Sequence, residues 1–182
     1  MSELAGDVSL HAPMEFAPAP GGSWLLFEVD GQVCGIDSRQ LRQIALAASV
    51  CRLPGSPQSA WPGLIAWQQG VLAVLDCGAA LGRSASLGGP AARVLVVQDR
   101  ARLWALLVNR VRGLHQDDPA RLIEVQRGLS PPWNAVRALL PLPVEAGGDI
   151  CPLLHVPTLC RDCGMPVAAA PMALIPAAES RA

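Results

Sequence analysis

The densest set of metal-ligating side chains lies late in the chain. Cys151, His155, Cys160 and Cys163 fall close together, and Cys160-Arg161-Asp162-Cys163 is a Cys-x-x-Cys turn. Zinc takes thiolate and imidazole ligands in a tetrahedron, and such a turn supplies two of them. The interval Cys151-x3-His155-x4-Cys160 matches no standard finger spacing, so the four are candidates by residue type alone. If buried, the same thiols would serve as small hydrophobes. A redox role for Cys160 and Cys163 lacks the βαβ surroundings that favour one. Cys34, Cys51 and Cys77 lie in or beside apolar strand candidates and read as core. Six cysteines in a chain with acids near its N-terminus, where a secretory signal would carry bases, are expected to be reduced thiols.

Other chemistries find fewer residues. There are three histidines, and His11 lies in the Pro-containing lead-in, leaving His115 and His155. No Gly-x-Ser-x-Gly elbow occurs. The small residues from Gly82 to Ala91 are not followed by the Gly-Lys-Ser/Thr of a phosphate-binding loop. Asp117-Asp118 before Pro119 reads as a loop or helix start. Fourteen basic residues stand against fifteen acidic ones, with no basic block. Nucleic-acid binding and a polybasic membrane anchor are therefore not expected. No apolar run is long enough to insert into a bilayer, since Met165 to Ala178 is short and broken by Pro166, Pro171 and Pro176. These absences point away from an enzyme and towards a cytoplasmic protein without a cofactor.

The elements that would carry these residues are mostly strands. Met1 to Gly22 has no apolar period and reads as a flexible lead-in, as does the Ala/Pro-rich segment from Gly164 to Ala182. Between them, Trp24 to Val29 and Gln32 to Ile36 form a hairpin around Asp30-Gly31, which suits a tight turn. Asp37 or Ser38 should cap a short helix with Leu41, Ile44 and Ala45 on one face. Val50 to Leu53 is a short strand ended by Pro54-Gly55. Gly63 to Gln68 and Val71 to Leu75 pair around Gln69-Gly70. Arg93 to Gln98 and Arg102 to Val108 pair around Asp99-Arg100-Ala101, with Val111 to His115 extending that hairpin. Ala135 to Pro141 and Ile150 to Leu154 pair last. Many short strands with regular turn signals predict an all-β fold with short helices, built as one or two small barrels. Trp24, Trp67 and Trp104 fall in strands and should fill cores. Trp61 and Trp133, each beside proline, are candidate interface anchors in loops.

The order of these pieces resembles the CheW-like domain over Ser23 to Cys163. Phe27 to Asp37 is similar to the family's first hairpin, and Leu41-Arg42-Gln43-Ile44 to its Val-x-Glu-Ile helix. Pro54-Gly55 matches a family turn. The most specific stretch, Pro62 to Asp76, is similar to Gly-Val-x-Asn-x-Arg-Gly-x-x-x-Pro-x-x-Asp-Leu. Val94 to Val97, Leu106 to Val111 and Ile150 to Leu154 then follow in family order. Departures are concentrated at polar positions: Gln68 and Gln69 replace Arg before Gly70, Ala73 the proline, and Cys77 a leucine. Asn109 and His155 each replace an aspartate.

The resemblance implies two small SH3-like five-stranded barrels packed together. It also implies a non-catalytic scaffold that couples the cytoplasmic tip of a chemoreceptor (a methyl-accepting chemotaxis protein) to the regulatory domain of a chemotaxis histidine kinase. The output would be chemotaxis or pilus-driven surface motility. Carried over by position, the receptor-facing residues are Leu41 and Gln43 on the short helix, Gln68 at its turn, and Val94, Val111 and Leu114 on the second barrel. Each apolar one among them could equally be core, and each glutamine an ordinary solvated residue. The neutralised positions suggest partners of its own. The alternative is a zinc-binding or redox module using Cys151, His155, Cys160 and Cys163 on the same fold.

Overall fold

Runs of apolar residues broken by Gly, Pro and Asp produce two curled sheets. The structure is a computed structural model in which residues 22–53, 60–68, 70–86, 89–126, 128–143 and 150–164 are described. The two segments read as lead-in and tail, residues 1–21 and 165–182 in particular, lie outside the described residues, as does Pro54-Gly55. Gly22 and Gly164 are exceptions: Gly22 opens the first strand, and Gly164 ends the last turn.

The chain begins with a hairpin of β1 (Gly22–Val29) and β2 (Gln32–Asp37). Its turn places Asp30 at φ 49° and Gly31 at φ 78°, the left-handed pair that a two-residue hairpin requires. A 3-10 turn, Ser38–Gln40, is capped by Asp37, whose side chain accepts from Arg39 N. The chain then becomes extended as β3 (Leu41–Leu46). This corrects the predicted helix over Leu41 to Ala45. The backbone of β3 pairs with an apolar strand, Leu41 opposite Val97 and Ala45 opposite Val94, and that long-range ladder overrides the local helical pattern.

Next come β4 (Cys51–Arg52), β5 (Gly63–Trp67), β6 (Gly70–Asp76) and a single helical turn, α1 (Cys77–Ala80). The hairpin of β7 (Arg93–Asp99) and β8 (Arg102–Val108) completes a sheet ordered β3-β7-β8-β6-β5-β4. After Asn109, β9 (Arg110–Asp117) crosses to the first hairpin and pairs with β1. It does not extend the β7–β8 hairpin, so Val111 and Leu114 sit on the first barrel, contrary to expectation. Asn109 anchors the crossing: its N donates to Glu28 O at 3.0 Å, and its Oδ1 accepts from Asp30 N at 2.8 Å. Then follow β10 (Ile123–Glu124), β11 (Val136–Pro141), β12 (Ile150–Leu154) and α2 (Val156–Asp162). The first sheet is ordered β10-β11-β12-β2-β1-β9.

Written from the other end, β9-β1-β2-β12-β11-β10 repeats the plan of β3-β7-β8-β6-β5-β4. Each has a central antiparallel hairpin, a parallel neighbour (β12 on β2, β6 on β8), a second hairpin and a two-residue edge piece. Apart from that piece, each barrel has five strands, as the SH3-like plan predicts. Each parallel strand is followed by a helix, and the entry is the same: Asp76 N donates to Ala60 O and His155 N to Ala135 O, both at 2.7 Å. The second barrel is continuous in sequence, whereas the first joins the chain's first hairpin to its last strands.

Three cores follow from strand alternation. On β7 and β8, Val94, Val96, Ala105 and Leu107 point into the second barrel, alongside Ile65, Leu72 and Val74. The opposite faces, Leu95, Val97, Trp104, Leu106 and Val108, pack between the barrels. There they meet Leu25, Phe27 and Val29 of β1, Ile36 of β2, and Val156, Leu159 and Cys160 of α2. Trp24, Leu26, Val33, Leu140, Cys151 and Leu153 fill the first barrel. Both faces of the central hairpins are thus buried, which explains their unbroken apolar runs. The shared core also makes the barrels one packed body.

Candidate partner-binding surfaces

The six residues carried over as receptor-facing separate by burial. Leu41 and Val94 are core: Leu41 packs between the barrels, and Val94 is 0% exposed inside the second barrel. Neither offers a side chain to a partner, which corrects that expectation. Their strands turn these positions inward, while Gln43, beyond the register shift in β3, turns outward. Gln43 is exposed and lines a shallow hollow on the second barrel with Ala45, Ile65, Trp67 and Val96. Gln68 is exposed at the β5–β6 turn, with φ 50°. Leu114 is 49% exposed on β9, and Val111, half-buried on the same face-alternating strand, packs on the shared core.

Of the larger apolar surface, the sequence singled out a single residue. On the first barrel a groove of about 360 Å³ is lined by Val125, Leu129, Trp133, Val136, Leu139 and Leu154, among others. Leu81 and Arg83, from the loop after α1, close its far wall. Leu129, Trp133 and Ile150 stand 39%, 54% and 52% exposed, so this surface is wet and apolar, the profile of a binding site. Only Trp133 carried a sequence signal. The rest come together because β11 and β12, with Val125, Leu129 and Trp133, converge on the end of α1 from the other barrel.

That far wall is held by a buried carboxylate. Asp76 caps α1 by accepting from Ala79 N at 3.1 Å, and also accepts from Ser86 N at 2.9 Å. Gly78 lets the loop close, because a Cβ there would lie 2.0 Å from Ser84 O. On the opposite side Ser84 N donates to Asp30 Oδ2. Leu81 and Arg83 are therefore fixed relative to both barrels.

The other tryptophan beside proline behaves differently. Trp61 is half-buried against the shared core, and its Nε1 donates to Cys163 O at 2.9 Å. It anchors α2 rather than facing solvent. Trp24 and Trp104 are core as expected, and Trp67 lies half-buried at the edge of the second barrel's interior.

The late Cys/His set is dispersed by the fold. Cys151 points into the first barrel, Cys160 into the shared core, and His155 Nδ1 lies 2.7 Å from Thr158 Oγ1. Among the described residues no three His, Cys, Asp or Glu side chains are grouped to hold a metal ion. Burial raises the Cys160 thiol and pushes Cys151 up to about 12, the direction that keeps a thiol protonated and unreactive. Cys160 and Cys163 span the last turn of α2, whose start at Val156-Pro157 is the signal that marks this helix. Cys34 and Cys77 are buried, but Cys51 is exposed on the two-residue edge strand β4, where little covers it. Asp118 caps the 3-10 turn that follows β9, accepting from Ala120 N at 2.9 Å, and Asp117 pairs with Arg121. The acid pair is thus structural.

No helix among the described residues is long and apolar enough to cross a membrane. The sequence matches the CheW-like domain family over residues 23–163. No curated protein matches it. Among solved structures, the crystal structure of the scaffolding protein TtCheW from Thermoanaerobacter tengcongensis superposes with a TM-score of 0.64 at 14% identity. The match covers 81% of this chain and 88% of that one.

Proposed function

We propose a function from one premise, that the chain belongs to the CheW-like domain family, a family of non-catalytic coupling scaffolds. It acts as an adaptor that holds a chemoreceptor's cytoplasmic tip and a chemotaxis-type histidine kinase in fixed geometry, converting no substrate. The observation that carries this reading is the presence of two separate surfaces on one packed body. The hollow beside Gln43 and the groove beside Trp133 share no lining residue, yet the shared core joins the barrels that bear them. Such a body can bind two proteins and transmit a fixed orientation between them. Gln43, Gln68 and Leu114 are the receptor-side residues in this reading, and the Trp133 groove serves the second partner. Neutral Gln68, where the family carries arginine, tunes the chain to receptors of its own cluster. Charged rims chiefly set association rate and partner choice.

Titration calorimetry with the regulatory domain of a chemotaxis-type kinase from the same genome tests the reading. Saturable one-to-one binding is expected, weakened about tenfold or more by Leu129→Arg and unaffected by Gln43→Glu. The absence of binding to any such kinase would remove the coupling role. On the receptor side, Gln68→Arg should strengthen binding to a standard chemoreceptor tip, and an unchanged affinity would count against the divergent-partner reading.

A further inference from the structure

Two equivalent clefts lie where one barrel meets the helix end of the other, and the described residues fill one of them. The equivalence is fixed by hydrogen bonds. Ala60 O and Ala135 O accept from the residues that begin α1 and α2, Asp76 N and His155 N. Three residues on, Gly63 pairs with Val74 and Ala138 with Leu153, each two residues before that donor. The residues following the two alanines, Trp61 and Val136, therefore occupy matching positions.

Both side chains pack on the shared core, but they differ in reach. Trp61 lies across to the other barrel, packs on the shared core and donates to Cys163 O at the end of α2. Val136, its counterpart, lies beside Leu81 at the end of α1 and lacks the volume to cross the gap. The result is the open groove, walled by Leu129, Trp133, Leu139 and Leu154. Arg83 is the one charged side chain among the described residues that line it. We propose that this groove receives a bulky aromatic side chain of a protein partner, carried next to an acid, and that it fills the groove as Trp61 fills the matching cleft. The aromatic ring supplies the apolar area that valine leaves open, and the neighbouring carboxylate pairs with Arg83. This deepens the adaptor reading by naming what the second surface takes.

N-acetyl-L-tryptophan tests the pocket without any partner protein. Titrated into the full chain and followed by methyl and indole NMR shifts, it should saturate with a dissociation constant on the order of 1 mM, as suits a fragment. N-acetyl-L-leucine and N-acetyl-L-tryptophanamide should bind about fivefold or more weakly, the first for lack of the ring and the second for lack of the charge. Val136→Trp should fill the groove from within and abolish binding. Should that variant fail to fold, Ile150→Glu at the exposed rim decides, since its charge repels the carboxylate, with a loss of about tenfold or more expected. Absence of saturation, equal binding of the leucine compound, or binding indifferent to Ile150→Glu would overturn the proposal. So would concentration-dependent self-association abolished by Leu129→Arg, which would assign the groove to a second copy of the chain. Kinase binding without tryptophan binding would sink this inference alone; tryptophan binding without kinase binding would sink only the adaptor reading.

Discussion

The two barrels share a plan but not a route to it. The second is made from β3 to β8 in unbroken order, and its interior is aliphatic. The first takes β1 and β2 from one end of the folded region and β9 to β12 from the other, and its interior includes Trp24 and Cys151. A continuous barrel can assemble from neighbouring hairpins. The divided one closes only when distant segments meet, so it bears the loop-closure entropy of the whole second barrel. The difference also assigns tasks. The compact barrel presents a shallow polar-rimmed hollow, and the divided one, whose strands converge on a neighbour's helix end, is left with the open groove.

If the shared core makes these unequal barrels one cooperative body, the largest effect belongs there. Phe27 is 0% exposed in the layer between them. Phe27→Ala should cost about 3–5 kcal/mol, against a comparable loss of about 2–5 kcal/mol for Leu72→Ala inside the second barrel. Both variants should unfold in a single transition in denaturant, by fluorescence and circular dichroism alike. Two transitions for Phe27→Ala, with only the divided barrel lost in the first, would show that the barrels are separately stable.

The helix starts sharpen the comparison at a smaller scale. Asp76 and His155 occupy matching positions, but Asp76 is 1% exposed and satisfies the backbone N–H groups of Ala79 and Ser86, whereas His155 makes no capping hydrogen bond to the backbone. Asp76→Ala should destabilise by roughly 2–3 kcal/mol, by removing a cap and stranding buried donors. His155→Ala should cost less than about 1 kcal/mol. Calorimetric melting of the two variants would check this, and equal losses would remove the distinction between the capped and uncapped helix.

The same contrast governs what the sequence made legible. The β1–β2, β5–β6 and β7–β8 hairpins are local, and short apolar runs around turn signals such as Asp30-Gly31 predict them closely. The partnership of β9 is non-local: nothing near Val111 says that its ladder is with Leu25 and Phe27 rather than with β8. Burial on both faces hid direction too, because Leu41 and Val94 are apolar residues whose pattern does not tell core from interface. The predicted helix at Leu41 failed because an edge strand was needed beside Val94 to Val97. The groove was illegible for a related reason. It is defined by a small side chain, Val136, at a position where the other barrel carries Trp61, and that comparison requires the topology.

A turn offers a smaller test. Gln68 holds φ 50° as the first residue of the β5–β6 turn, the position that Asp30 takes at φ 49° in the β1–β2 turn. A side chain in that region costs roughly 1 kcal/mol, so Gln68→Gly should raise stability by up to about 1 kcal/mol, less the extra entropy of the unfolded glycine. In the adaptor reading the same change should weaken receptor binding. A variant that is more stable and binds unchanged would return Gln68 to an ordinary turn residue.

The smallest effect is on pH dependence, and it again separates the two helix starts. Burial lowers the affinity of His155 for a proton below its ordinary value, with Arg137 and then Arg161 acting in the same direction against the opposing charge of Asp99. The unfolded chain therefore binds this proton at a higher pH than the folded chain. Stability contributed by neutral His155 is fully present above its unfolded pKa, about 6.5. It declines as the pH falls through that value towards the lower folded pKa. His155→Gln removes the titration, so its stability profile should be flatter than that of the parent between pH 7 and 5, as read from urea midpoints. Because the ring is partly exposed, the difference should be small. A steeper profile in the variant would mean that the protonated ring is the one the fold favours, bonded at the uncapped start of α2, and the contrast with Asp76 would then be one of charge sign rather than of capping.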